Sequence, residues 1–326
     1  MKCMNRRVGS GTVITYCTTG VLLRQLQEGS PHNITHIIVD EIHERSVLSD
    51  FLLLLLKRLL PAHPALKVVL MSATIDQSLF SAYFGGIPSL SVEGRLFPVQ
   101  EKYLEDIVFD TRYKPSGVTQ PLGEATSPVD RSQVLTEWCE RYQDYGLIPH
   151  LLQHLFSQTW KGGVVLVFLS GAAEIKSVAR LIDEAFAGSS LGVEVIVCHG
   201  SLSTVEQKRV FERPAAGRRR VVLSTNIAET SLTIPDCTVV IDTGREKRVL
   251  FNPNSNITEM KEVWVSRASA EQRKGRAGRV RSGTVFRLFT RAKYRAFEEF
   301  TPPEMLRSPL DALCLQTLRM QLGDPE

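Results

Sequence analysis

Short apolar runs, each four to six residues long, recur along the chain and are separated by longer stretches of helical periodicity. The runs "TVITYC" (12–17), "HIIVD" (36–40), "KVVLMS" (67–72), "VVLVFL" (164–169), "VEVIVC" (193–198), "RVVLST" (220–225) and "TVVID" (238–242) read as strands. Most are continuously apolar rather than alternating, as strands covered on both faces must be. Helix-like stretches at 46–60, 171–186 and 203–211 lie between them. This β–α alternation predicts an α/β fold with parallel sheets and helices on both faces.

The alternation stops between about 100 and 160, where "RYKPSGVTQPLGEATSPVDR" (112–131) is rich in Pro, Gly, Ser and Thr. Such composition predicts a linker or surface insertion. The expected organisation is a first α/β domain over 1–100, a linker over 101–160, a second α/β domain over 161–290 and a helical exit segment over 291–326. Within the second domain, "LFNPNSNITEMKEVWV" (250–265) sets two extended pieces around a polar turn and predicts a β-hairpin.

Composition narrows the class. The chain has 326 residues, 43% hydrophobic and 23% charged, as in ordinary globular proteins. The run "FLLLLLKRLL" (51–60) meets Lys57 and Arg58 after six apolar residues, far short of the roughly 20 needed to span a bilayer. It reads as a buried helix, and the first residues lack the apolar core of a signal peptide. The six cysteines form no CxxC pair, which argues against a zinc site or disulfide framework and for a reducing compartment. The net charge of +4 permits nucleic-acid binding without demanding it, but "GRRR" (217–220) and "RKGRAGRVR" (273–281) concentrate positive charge locally.

Candidate chemistry begins where "HIIVD" ends in Asp40 and Glu41. Ligands of open α/β sheets collect at the carboxyl ends of strands. There one acid can hold Mg²⁺, often through water, while its neighbour orients or deprotonates an attacking water. Alone, such a pair is more often a solvated strand end. Ser72 and Thr74 in "MSATI" sit where a second strand meets a loop. In "QRKGRAGR" (272–279), Gln272, Arg276 and Arg279 fall on one face if the segment is helical, and its two glycines and alanine keep that face low. Paired guanidiniums suit a phosphate whose charge grows during reaction; a generic basic helix is the simpler alternative.

Taken together, the strings resemble the DEAH/DExH-box RNA helicases of helicase superfamily 2. Those that carry the resemblance are "TTGVLLR" (18–24), "DEIH" (40–43), "SAT" (72–74), "GRLFPV" (94–99), "FLSG" (168–171), "HGSL" (199–202), "STNIAETSLTIP" (224–235), "VIDTG" (240–244) and "QRKGRAGR" (272–279), in the family's order. The resemblance implies two RecA-like domains, ATP and Mg²⁺ as cofactors, single-stranded RNA held mainly by its backbone, protein cofactors as further partners, no membrane, and a cytoplasmic or nuclear location. It implies that Asp40 serves the metal, Glu41 the attacking water, and His43 the link to the other domain. Ser72 and Thr74 would couple hydrolysis to unwinding. Gln272 would help place the water, with Arg276 and Arg279 as arginine fingers. Phe211 would stack on adenine and Asp242 would contact the ribose. Thr18, Ser170, Thr225 and Asn226 would touch the RNA backbone, and the hairpin would separate strands.

The same family holds ATP phosphates in a G-x-x-x-x-G-K-[ST] loop. These 326 residues contain no Gly-Lys dipeptide. The resemblance therefore implies a fragment whose first domain lacks its N-terminal half. A non-catalytic RNA-binding or scaffolding module and a DNA-directed helicase are the alternatives.

Overall fold

The computed structural model describes residues 9, 11–28, 34–73, 77–92, 94, 97–118, 127–159, 162–212, 217–230 and 232–322. It divides into two compact units. The first comprises residues 1–90, 251–258 and 302–326, the second 91–250 and 259–301.

In the first unit, helix α1 (Thr19–Glu28) precedes strand β1 (His36–Val39), helix α2 (Val47–Leu59), strand β2 (Lys67–Leu70) and helix α3 (Gln77–Tyr83). β1 and β2 pair in parallel, with Ile37 opposite Val68 and Val39 opposite Leu70. The leucine-rich run forms α2, which buries Phe51, Leu52, Leu53, Leu55 and Leu56 against Leu23, Leu26, Ile37 and Val39. Ser46 caps it by accepting from the Ser49 amide at 3.2 Å, and Lys57 and Arg58 complement its C-terminal dipole. No described helix is long and apolar enough to cross a membrane.

The stretch 12–17 is not a strand. Its backbone is irregular, and Val13, Ile14 and Tyr16 are 93%, 70% and 94% exposed. β propensity is realised only where a neighbouring strand and a covering layer receive the side chains. The C-terminal segment is helical over Asp311–Arg319, as expected, and also packs on the first unit: the Glu304 amide donates to the Arg45 carbonyl at 3.0 Å, and its carboxylate accepts from the Val47 amide at 2.9 Å. Met305, Leu313, Met320 and Leu322 join the core around α2.

The second unit holds a six-stranded sheet in the order β3-β10-β7-β4-β6-β5. The strands are β3 (Val99–Lys102), β4 (Val164–Phe168), β5 (Val193–Cys198), β6 (Arg219–Ser224), β7 (Cys237–Asp242) and β10 (Gly283–Arg287). All neighbouring pairs are parallel. β4 and β7 are buried along their whole length, which accounts for the uninterrupted apolar sequence of β4 and of residues 239–241 in β7. Val165, Val167, Val221, Leu223 and Ile241 face one helical layer, while Leu166, Phe168, Val222 and Val240 face the other. This is the parallel α/β architecture expected from the pattern, in the RecA-like form that the resemblance implies.

The expected linker at 101–160 is instead part of this unit. β3 adds the sheet's edge strand beside β10, and α4 (Leu104–Thr111), α5 (Pro128–Arg141) and α6 (Leu147–His154) cover the core through Leu104, Ile107, Leu135, Trp138, Ile148 and Leu152. The polar, proline-rich stretch is only the connection between α4 and α5, and residues 119–126 within it lie outside the described residues. Helices α7 (Ala172–Phe186), α8 (Thr204–Lys208), α9 (Arg267–Gly275) and α10 (Arg291–Arg295) complete the layers. The predicted hairpin is present as β8 (Arg245–Asn252) and β9 (Ile257–Trp264).

Candidate functional sites

In the first unit, parallel pairing places the ends of β1 and β2 side by side. The Met71 amide donates to the Val39 carbonyl at 2.8 Å, and the Ile42 amide to the Met71 carbonyl at 3.2 Å. Asp40 and Glu41 thus emerge next to Ser72. Glu41 adopts the left-handed conformation (φ 55°, ψ 38°), uncommon for a non-glycine residue. Its amide donates to Asp40 Oδ1 at 2.9 Å, closing the turn. His43 Nδ1 lies 3.2 Å from Ser72 Oγ and 3.4 Å from Glu41 Oε2, and its side chain is only 9% exposed. Glu41, His43 and Ser72 therefore form one connected group. Thr74 lies outside the described residues.

No group of three or more metal-ligating side chains occurs among the described residues. Asp40 is a single exposed carboxylate. That donor set suits Mg²⁺, which keeps several waters and takes one or two carboxylates together with substrate phosphates.

In the second unit, the strands' carboxyl ends share one edge. Ser170 follows β4 and is buried; Thr225, half-buried, and Asn226, exposed, follow β6. The Leu169 amide donates to the Ser224 carbonyl at 2.8 Å, which ties the two ends together. Thr18 belongs to the first unit, where its carbonyl accepts from the Val21 and Leu22 amides at the start of α1. Phe211 closes a short helical turn after α8 with its ring 47% exposed.

The segment 272–279 does not present one uniform arginine face. α9 ends at Gly275 and the chain tightens into a 3₁₀ turn over Arg276–Gly278. Arg273 is fully buried: Nε donates to Glu229 at 2.9 Å, Nη1 to Asp242 at 2.8 Å, and the guanidinium lies over the Phe168 ring. Arg276 is buried and donates to the carbonyls of Glu229 and Leu232. Arg279 is exposed and donates to Thr233 Oγ1 at 2.6 Å. All three arginines thus hold the loop that follows Thr225 and Asn226. Gln272 is half-buried on α9.

The chain carries the helicase conserved C-terminal domain, matched over residues 147–281. It is 40% identical to the human ATP-dependent RNA helicase DHX29 over 99% of its own length, and 38% identical to the DExH-box ATP-dependent RNA helicase DExH1 of Arabidopsis thaliana over 96%. Among solved structures it is similar to the E. coli DExH-box NTPase HrpB, with a TM-score of 0.74, 30% identity and 94% of this chain covered. The chain belongs to the DEAH/DExH-box helicase family. It spans 27% of the length of DHX29, 34% of DExH1 and 34% of the HrpB chain.

Within this chain one expected site residue has buried partners of its own. Asp242, expected at a ribose, is wholly buried and spends Oδ1 on Arg273 and on the Gly244 amide at 2.9 Å. Burial opposes the Arg273 charge, but Asp242 and Glu229 outweigh it and hold the guanidinium above its ordinary range. Burial pushes the Glu229 carboxyl up, against the pull of Arg273. No motif in the sequence gives Glu229 or Arg273 a role. The one hint was an acid inside the otherwise apolar and hydroxylic "IAETSLTI", since a buried acid needs a cation.

Proposed function

We propose that this chain is part of an ATP-dependent RNA helicase that couples Mg-ATP hydrolysis to movement along, or remodelling of, RNA. Asp40 holds Mg²⁺ through water, and Glu41 orients and deprotonates the attacking water. His43 and Ser72, with Thr74, relay the state of that site. Gln272, Arg276 and Arg279 serve nucleotide hydrolysis, and the two guanidiniums stabilise the charge that grows on the transferred phosphoryl group. For Arg276 this requires exchanging the Glu229 and Leu232 carbonyls for phosphate oxygens. Phe211 supplies the exposed aromatic face for the base. Thr18, Ser170, Thr225 and Asn226 contact the RNA backbone, which explains binding with little sequence preference.

The observation that carries this reading is the geometry at Glu41. A carboxylate held in the left-handed region at a parallel strand's end, with His43 and Ser72 beside it, places an uncommon backbone conformation where the chemistry is expected. Phosphate release from ATP with single-stranded RNA present tests it. Glu41→Gln should reduce turnover by about 10²-fold or more, the scale of a general base. Unchanged turnover in Glu41→Gln removes Glu41 from the mechanism.

One sequence fact favours a second reading, a non-catalytic RNA-binding module: these residues contain no G-x-x-x-x-G-K-[ST] loop. Wild-type chain that binds single-stranded RNA but releases no phosphate supports that reading for this chain. RNA-stimulated release refutes it.

A further inference from the structure

Helix α9 docks on the sheet without large apolar anchors. Its apolar side chains are Ala268 and Ala270, and the residues it buries are Ser269, Ala270 and Arg273. Charged groups hold it instead. Arg273 reaches Asp242 and Glu229 on one side. Glu271 and Lys274, three residues apart and so on a shared face, reach a second group built on the edge strand β3 and its neighbour β10.

That second group is a closed ring of alternating charge. Glu101 on β3 accepts from Lys274 Nζ at 2.9 Å through Oε1 and pairs with Arg287 of β10 at 2.8 Å through Oε2. Arg287 donates to Glu271 at 2.6 Å, and Glu271 pairs with Lys274 to close the ring. The Tyr103 and Tyr294 phenols donate to Glu101 and Glu271 at 3.2 and 2.8 Å. Arg287 is wholly buried, with the Tyr294 ring 4.6 Å away. The residues leading into β3 hold the far end of the arginine turn. The Phe97 amide donates to the Gly278 carbonyl at 2.9 Å, and the Pro98 carbonyl accepts from the Gly283 amide at 3.1 Å. A Cβ at Gly278 would stand 2.7 Å from the Phe97 carbonyl oxygen, so this approach requires glycine. Residues 97–101 thus grip the segment 272–279 at both ends.

We propose that Glu101 is a positioning residue for nucleotide hydrolysis. By bridging Lys274 and Arg287, its carboxylate sets the rotation of α9, and with it the placement of Gln272 and of the turn carrying Arg276. Apolar packing would hold a helix as firmly as a buried ion pair does. Charge-assisted bonds also fix direction, and a group acting on a reacting phosphate must be held to within about 0.5 Å. This role rests on the hydrolysis reading of Gln272 and Arg276 above.

The test is phosphate release by the complete 326-residue chain at saturating single-stranded RNA, with ATP varied. Glu101→Gln keeps the shape and removes the charge. It should lower kcat about tenfold and leave KM for ATP within about twofold, as for an interaction that matters only in the transition state. In an Arg276→Lys background the same change should cost less than about twofold, because residues acting as a unit are not additive. Lys274→Met removes the other end of the bridge and should reproduce both results; it replaces Glu101→Gln if circular dichroism shows that variant unfolded. Unchanged kcat in Glu101→Gln, or the same loss in both backgrounds, overturns the positioning role, while impairment by Arg276→Lys leaves the hydrolysis reading standing. Loss of the fold in both variants makes the ring a structural element and overturns the role as well. A wild-type chain without RNA-stimulated release overturns the hydrolysis reading and the positioning role with it.

Discussion

Arg273→Met is the most informative perturbation of the second unit. Methionine replaces most of the buried volume but none of the charge. It removes the 2.9 Å bond to Glu229 and the 2.8 Å bond to Asp242, leaving two buried carboxylates without their cation. Breaking a buried pair by deleting one partner costs about 3–5 kcal/mol. With a urea dependence of about 1–3 kcal/mol per molar, the unfolding midpoint should fall by about 1–5 M. Tryptophan emission isolates the effect, because Trp138, Trp160 and Trp264 all fall within the residue ranges of the second unit. Removing the cation drives the folded-state pKa of the Glu229 carboxyl further upward. A raised folded pKa contributes stability present below the unfolded value, about 4.3 for Glu, and lost as pH rises through the folded value. The deficit of the variant should therefore be largest near neutral pH and shrink on acidification. A midpoint at pH 7 equal to wild type refutes the view that this triad holds the unit together. A deficit that grows toward acid pH refutes its electrostatic origin.

Gly244→Ala should destabilise the same unit by more than about 1 kcal/mol, read by tryptophan emission in urea. Gly244 has φ +70°, and an added Cβ would stand 2.6 Å from the Phe289 ring. In the first unit, Leu56→Ala empties a fully buried position of α2 and should cost about 2–5 kcal/mol, measured by hydrogen exchange of α1 and α2 amides. Burial opposes the charges of Glu101 and Glu271, but Lys274 and Arg287 outweigh it and hold both carboxyls below their usual range. Such groups contribute stability present above the unfolded value and lost as pH falls through the folded one. Lys274→Met should therefore flatten the acid limb of the stability profile below about pH 4.3.

The sequence by itself determined the α/β class, because strands buried on both faces must be continuously apolar, and β4 and the centres of β6 (residues 221–223) and β7 (residues 239–241) are. It also determined the family, because the motif strings occur in order, and it located the hairpin from its polar turn. Tertiary structure decided what those local signals could not contain. Residues 12–17 have the composition of a strand but pair with no strand among the described residues. Residues 99–155 show a weak pattern, broken by a proline-rich connection, yet supply an edge strand and three helices to the second unit. Spacing gave Gln272, Arg276 and Arg279 one shared face, but α9 stops at Gly275 and the tightened turn buries Arg276 while exposing Arg279. Asp242 and Arg273 are 31 residues apart in sequence and 2.8 Å apart in space. Only the fold brings that acid and that cation together, and with Glu229 they close a buried charge group whose members no local pattern links.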